Sequence, residues 1–174
     1  ITSTISGNHT HGNGARGGGI SSHGETLTIQ YSTIEGNKTS GVNAYGGGIH
    51  TRQAETFIHS STISGTAVTE DSSIGGGIYA LRQATISHTT ITDKRAVSSG
   101  GGIAGALRGR PLLSHSIVSG NWSTPNDSPA RADDISAGAT GIETGYSLLG
   151  VVDGTITETP DTVNYFGVDP LLGP

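Results

Sequence analysis

Four copies of Gly-Gly-Gly-Ile, ending at Ile20, Ile49, Ile78 and Ile103, recur at distances of 29, 29 and 25 residues (20 to 49, 49 to 78, 78 to 103). A second marker, Ser/Thr-Thr-Ile, ends at Ile5, Ile34, Ile63 and Ile91 and continues in weaker form as Ser116-Ile117-Val118. A third apolar point precedes the second by five residues, at Ile29, Ile58, Ile86 and Leu113. A fixed period of this size marks an architecture of stacked units, each burying its apolar points against the next.

The unit is not helical. No amphipathic run of ten or more residues exists, and each interior helical Gly would cost roughly 1 kcal/mol. The short segments alternate instead: in Ser3-Thr4-Ile5-Ser6 and Ser61-Thr62-Ile63-Ser64 one β-branched apolar residue stands between polar ones. That is the period of a strand with Ile pointing inward and Thr and Ser outward. Three such strands with turns between them make one rung of a parallel β-solenoid, with rungs about 4.8 Å apart. The expected fold is all-β, a right-handed single-stranded parallel β-helix with three short strands per rung of 25–29 residues. Right-handedness follows the general rule for parallel crossovers.

Three core columns follow: Ile5, Ile34, Ile63, Ile91 and Val118; Ile20, Ile49, Ile78 and Ile103; Ile29, Ile58, Ile86 and Leu113. The triple glycines suit a corner needing positive φ or close backbone stacking between rungs. A phosphate-cradling loop is excluded for them, since no helix start follows. The segments after the second marker, such as 6–16 and 64–74, vary in length and read as loops. Residues 1–120 read as rungs. Residues 121–174 read as a long loop, with Pro125 and Pro129, and an irregular C-terminal cap of the same domain carrying Trp122, Tyr146, Tyr165 and Phe166.

At this point the residues resemble a family. Ser-Thr-Ile-Ser-Gly-Asn (3–8), Ser-Thr-Ile-Glu-Gly-Asn (32–37) and the Gly-Gly-Gly-Ile strands are similar to bacterial right-handed parallel β-helix repeat surface proteins of the polymorphic outer-membrane type. Ser-Ile-Val-Ser-Gly-Asn (116–121), Gly-Tyr-Ser-Leu-Leu-Gly (145–150) and Asp-Pro-Leu-Leu-Gly-Pro (169–174) resemble the end of the β-helix in large surface proteins of the choice-of-anchor type. The resemblance implies an exported protein at an extracellular location or cell surface, bacterial or archaeal.

Composition removes several functional classes. With 13% charged residues and a net charge of −5, no basic stripe exists to neutralise nucleic-acid phosphates. No apolar run approaches the ~20 residues of a membrane-spanning helix. The absence of Cys excludes disulfides, thiol catalysis and Cys-based zinc sites. The chain has no signal peptide and starts at Ile1, so it reads as a mature or trimmed product.

Candidate chemistry lies in four places. Arg52-Gln53 and Arg82-Gln83, with Arg108 one rung on, fall beside Glu25 and Glu55. They could form a carbohydrate-cleaving site, since hydrolases need facing carboxylates, or a solvated ladder of alternating charges. Among the acids, Asp133-Asp134 in the C-terminal loop is the other pair near catalytic spacing. The seven His could suggest a metal, with His88 and His115 stacked on neighbouring rungs, but no third ligand column or adjacent acid accompanies them. Thr4, Thr33, Thr62 and Thr90 form an outward column suited to ice or simply to strand propensity, with Glu35 interrupting its neighbour. Asn8, Asn37, Asn121 and Asn126 open glycosylation-type triplets, or serve turns.

The reading is an extracellular structural or adhesive solenoid without catalytic residues, metal or cofactor. Its expected partners are cell-surface glycans or itself, in a head-to-tail homopolymer through Ile5 and Ile20 at one end and Tyr165 and Phe166 at the other. A carbohydrate-active lyase or hydrolase is the alternative, and a glycan- or ice-binding module a further one.

Overall fold

The computed structural model describes residues 2–104, 110–125 and 128–172. The first rung is β1 (Ser3–Ser6), β2 (His9–His11), β3 (Ile20–Ser22) and β4 (Thr26–Gln30). The second is β5 (Ser32–Glu35), β6 (Lys38–Ser40), β7 (Ile49–Thr51) and β8 (Glu55–His59). The third is β9 (Thr62–Ser64), β10 (Ala67–Val68), β11 (Ile78–Ala80) and β12 (Ala84–Ser87). The fourth is β13 (Thr90–Thr92), β14 (Arg95–Ala96), β15 (Ile103–Ala104) and β16 (Leu112–Ser114). Then come β17 (Ile117–Val118), β18 (Trp122–Ser123), β19 (Arg131–Ala132), β20 (Ile135–Gly145), β21 (Leu148–Leu149), β22 (Val152–Glu158) and β23 (Tyr165–Phe166).

These strands stack as a parallel β-solenoid. One sheet runs β1-β5-β9-β13-β17-β21-β23, a second β2-β6-β10-β14-β18-β19, and a third joins the β3 and β4 columns through β20. The pairings are parallel except β18 with β19. No helix among the described residues is long and apolar enough to cross a membrane.

Register places like on like. Ile5 pairs with Ile34, then Ile63, Ile91, Val118 and Leu149. Ile20 pairs with Ile49, Ile78, Ile103 and Ile135, and Ile29 with Ile58, Ile86 and Leu113. Ile29 and, from the second rung onward, the rest of these residues form one continuous buried core, while Ile5 and Ile20 are partly buried against it. Identical β-branched side chains nest because each meets its own shape one rung away.

Two expectations need correction. The stretches read as loops after the second marker contain a further strand in each rung, the β2 column. Its middle or inward residues change from hydroxyl (Thr10, Thr39) to apolar (Val68, Ala96) and back to hydroxyl (Ser123), so no apolar repeat announced it. The C-terminal segment, expected as an irregular cover, also carries the ladders onward through β20 to β23, with register shifts between β20 and β22. Within β20 one continuous strand spans what are two strands in earlier rungs, so Ile135 lies beside Ile103 and Glu143 beside Leu112.

Each glycine of the triplet has its own reason. The first, as at Gly46 with φ +67°, turns the corner in a left-handed conformation. The second allows backbones to touch: a Cβ on Gly47 would lie 2.4 Å from the carbonyl oxygens of Ala67 and Gly76. The third faces the inward polar side chain of the next rung, as Gly77 faces Lys94 and Gly102 faces Asn121. Gly47→Ala is therefore expected to destabilise the fold by at least ~3 kcal/mol, since backbone cannot move aside cheaply. Chemical denaturation would check this, with Gly24→Ala, whose Cβ meets open space, as the near-neutral control.

Candidate binding surface

The turn from the β4 column into the β1 column is very tight. The residue two places after each third-column Ile or its equivalent, namely Tyr31, Ser60, His88, His115 and Tyr146, has φ between 48° and 52°. This conformation, strained for residues other than Gly, recurs at the same corner of every rung. It throws the side chain outward, and stacking then brings neighbouring rings together. His88 and His115 lie 4.8 Å apart with 1° between their planes, and Tyr146 stacks on His115 at 4.9 Å. His59 and Tyr31 extend the line at 5.2 and 5.7 Å. The first two contacts are stacked and the last two edge-on, and Tyr31, His88, His115 and Tyr146 are exposed while His59 is half-buried.

A polar groove of about 630 Å³ opens at the corner between the β3 and β4 columns, lined by His23, Glu25, Gln53, Glu55 and Arg82. The pairing of Thr26 with Glu55 sets Glu25 and Glu55 one rung and one residue apart, and the Glu55 N–H donates to the Glu25 carbonyl at 2.9 Å. The structure thus brings together Glu25, Glu55, Gln53 and Arg82. Arg52 and Gln83 fall outside the lining, and Arg108 lies outside the described residues. Carboxylates, an amide, a guanidinium and an imidazole along an open groove suit hydrogen bonding to a polyhydroxylated ligand.

The outward Thr column is in register through Thr4, Thr33, Thr62 and Thr90, but it continues as Ile117, Leu148 and Tyr165. Beside it Ser6, Glu35, Ser64 and Thr92 align. The face is therefore hydroxyl-rich at one end and apolar at the other. There Ile117, Leu148, Tyr146, Val163 and Tyr165 line a second groove of about 480 Å³.

A polar column stands at a constant three residues after the second-marker apolar residue: Asn8, exposed at the first rung, then Asn37, Thr66, Lys94 and Asn121 inside the solenoid. Asn37 Nδ2 donates to the Ile5 carbonyl at 2.8 Å and its Oδ1 accepts from the Asn8 N–H at 3.0 Å. Asn121 Nδ2 donates to the Ile91 carbonyl at 3.1 Å and to Asp134 Oδ1 at 2.7 Å. Asn37 and Asn121 are fully buried. The glycosylation reading fails for both, because a sugar on either side chain would have to occupy the core. Asn8 is exposed, and Asn126 lies outside the described residues.

Asp133 and Asp134 are also structural. Asp134 accepts from the N–H groups of Asn121 and Val151 at 2.8 and 2.7 Å, and Asp133 Oδ2 from Gly100 N–H at 3.1 Å. Burial raises the Asp134 pKa despite these bonds. Among the described residues, no three His, Cys, Asp or Glu gather as a metal-ligand set.

Lys94 is the residue that sequence reasoning missed. It is completely buried, and its Nζ donates to the carbonyls of Ile63 and Thr92. Burial drives its pKa down to about 6, against a smaller opposing pull from Asp93. The fixed offset from Ile91 was the available signal: a Lys stands where other rungs carry Asn or Thr.

No protein-family model, curated protein or solved structure matches this chain.

Proposed function

We propose that this chain is a non-catalytic structural or adhesive solenoid of a bacterial or archaeal cell surface. One observation carries the reading. Outward side chains repeat rung by rung as columns and ladders, whereas the buried Asn37, Asn121, Asp133 and Asp134 side chains bond chiefly to backbone groups. Such a surface binds by repetition along a rod, and the polar groove at Glu25, Gln53, Glu55 and Arg82 suits glycan hydroxyls. End-to-end association of copies is part of the same proposal. Ile5, Ile20 and Leu27 line an open groove at the first rung, and Tyr165 is 59% exposed at the last strand.

A second reading, a carbohydrate-cleaving enzyme, is favoured by the two carboxylates that share the groove with Arg82. Incubation with a polysaccharide panel separates the two. The adhesive reading expects cosedimentation with at least one polymer and no new reducing ends or unsaturated products. Product release abolished by Glu55→Gln would establish the enzyme instead.

A further inference from the structure

One cluster on the outer side of the β3–β7–β11 column departs from the ladder pattern. His50 stands in the outward line Ser21, His50, Tyr79, yet it is only 1% exposed. Rings cover it. His23 and Tyr45 lie 5.7 and 6.4 Å away, and Tyr79 stacks on it at 5.7 Å with 11° between planes. Tyr45 and Tyr79 are themselves 4.8 Å apart, and Arg16 is aligned one rung before Tyr45. Three consecutive rungs therefore build the cluster.

Its charge is one-sided. Besides burial, the charges acting on His50 are Arg16, His23 and Arg52, and together they hold the imidazole down to about 4. No carboxylate is among them, in a chain whose net charge is −5. Two polar atoms here are orphaned as well: Arg16 Nε and His50 Nδ1 are buried without a hydrogen-bond partner. Buried polar groups in folded proteins are rarely left unpaired, and two in one cluster call for an acceptor.

We propose that this cluster is a binding site for an oxyanion, with Arg16 and His50 as donors and Tyr45 and Tyr79 as walls. A guanidinium presents N–H groups in a planar fork that matches carboxylate, sulfate or phosphate oxygens. The His50 imidazole donates beside it in the tautomer that carries the proton on Nδ1. The aromatic walls exclude water and so strengthen both bonds. His23 also borders the polar groove, where Glu25 and Glu55 suit hydroxyls and not anions, so the ligand class that fits both is a sugar whose hydroxyls lie in the groove and whose carboxylate or ester sulfate reaches the cluster. The site rests on the cluster itself and not on the adhesive reading.

The test is an NMR titration of the whole ¹⁵N-labelled chain, following the His50 ring nitrogens, which are assigned by their loss in His50→Gln. The probes are sodium sulfate, sodium phosphate, oligogalacturonate and a neutral malto-oligosaccharide. Saturable shifts at His50 with the anionic probes and none with the neutral sugar are expected, with His88 unmoved. Arg16→Gln should weaken binding at least tenfold. Oligogalacturonate bound at least tenfold more tightly than inorganic anions supports the sugar class, whereas equal affinity overturns that class and leaves an inorganic oxyanion site. No saturable shift in the unsubstituted chain, or an unchanged response in Arg16→Gln, would overturn the site.

Discussion

Ile63→Asp is expected to prevent folding, whereas Thr62→Asp, one residue away, is expected to cost less than ~1 kcal/mol. Ile63 is fully buried between Ile34 and Ile91, at the centre of its column. Removing the side chain alone, as in Ile63→Ala, would cost about 2–5 kcal/mol. Asp adds the desolvation of a carboxylate in a core whose nearby amine, Lys94, is already bonded to the Ile63 and Thr92 carbonyls, a cost comparable with the whole stability of most domains, about 5–15 kcal/mol. Thr62 is exposed on the opposite face of the same strand. Circular dichroism melts of both variants check this, and equal damage from the two would contradict the inside–outside assignment.

The second large effect comes from Lys94. Its folded pKa of about 6 lies below the ordinary 10.5, so between these values the unfolded chain binds the proton more readily than the folded one. Stability contributed by the neutral amine is therefore fully present above the ordinary pKa and is lost as pH falls towards 6. Below that the penalty is constant. Within the window the slope is about 1.4 kcal/mol per pH unit from this group. Lys94→Asn restores the residue that stands at this point in three other rungs. It is expected to raise stability by several kcal/mol near pH 7, and Lys94→Met to remove the same pH slope without a new hydrogen bond. Urea unfolding at a series of pH values measures the difference between variant and parent. An unchanged slope in both variants would show that Lys94 is not the buried cation described.

How much of this was legible depends on whether the stack repeats a chemical type. The Ile columns were readable because neighbours in the stack are the same residue, and the triple glycines because three different constraints fall on one sequence word. The β2 column was hidden because Thr39, Val68 and Ala96 fill the same inward line with unlike side chains. In β20, Gly138 and Gly141 adopt positive φ and break the alternation that marks a strand, so its continuation of the ladders did not show. Of the candidate surface, Glu25, Glu55 and Arg82 could be aligned by counting rungs. The oxyanion cluster was not: Arg16 and Tyr45, and His50 and Tyr79, are each one 29-residue period apart, but their residue types differ, and only the closed geometry of a rung brings the two columns together.

Register between rungs is the claim on which all of this depends, and the absence of Cys makes it directly measurable. Thr33 and Thr62 are 29 positions apart in sequence and paired partners in the stack, about one rung of 4.8 Å apart. That is within the Cα separation a disulfide accepts. The double variant Thr33→Cys/Thr62→Cys should oxidise within a single chain in dilute solution. Thr33→Cys/Thr90→Cys, two rungs apart, should remain reduced. Ready cross-linking of the second pair, or failure of the first while the chain is folded, would contradict the solenoid register.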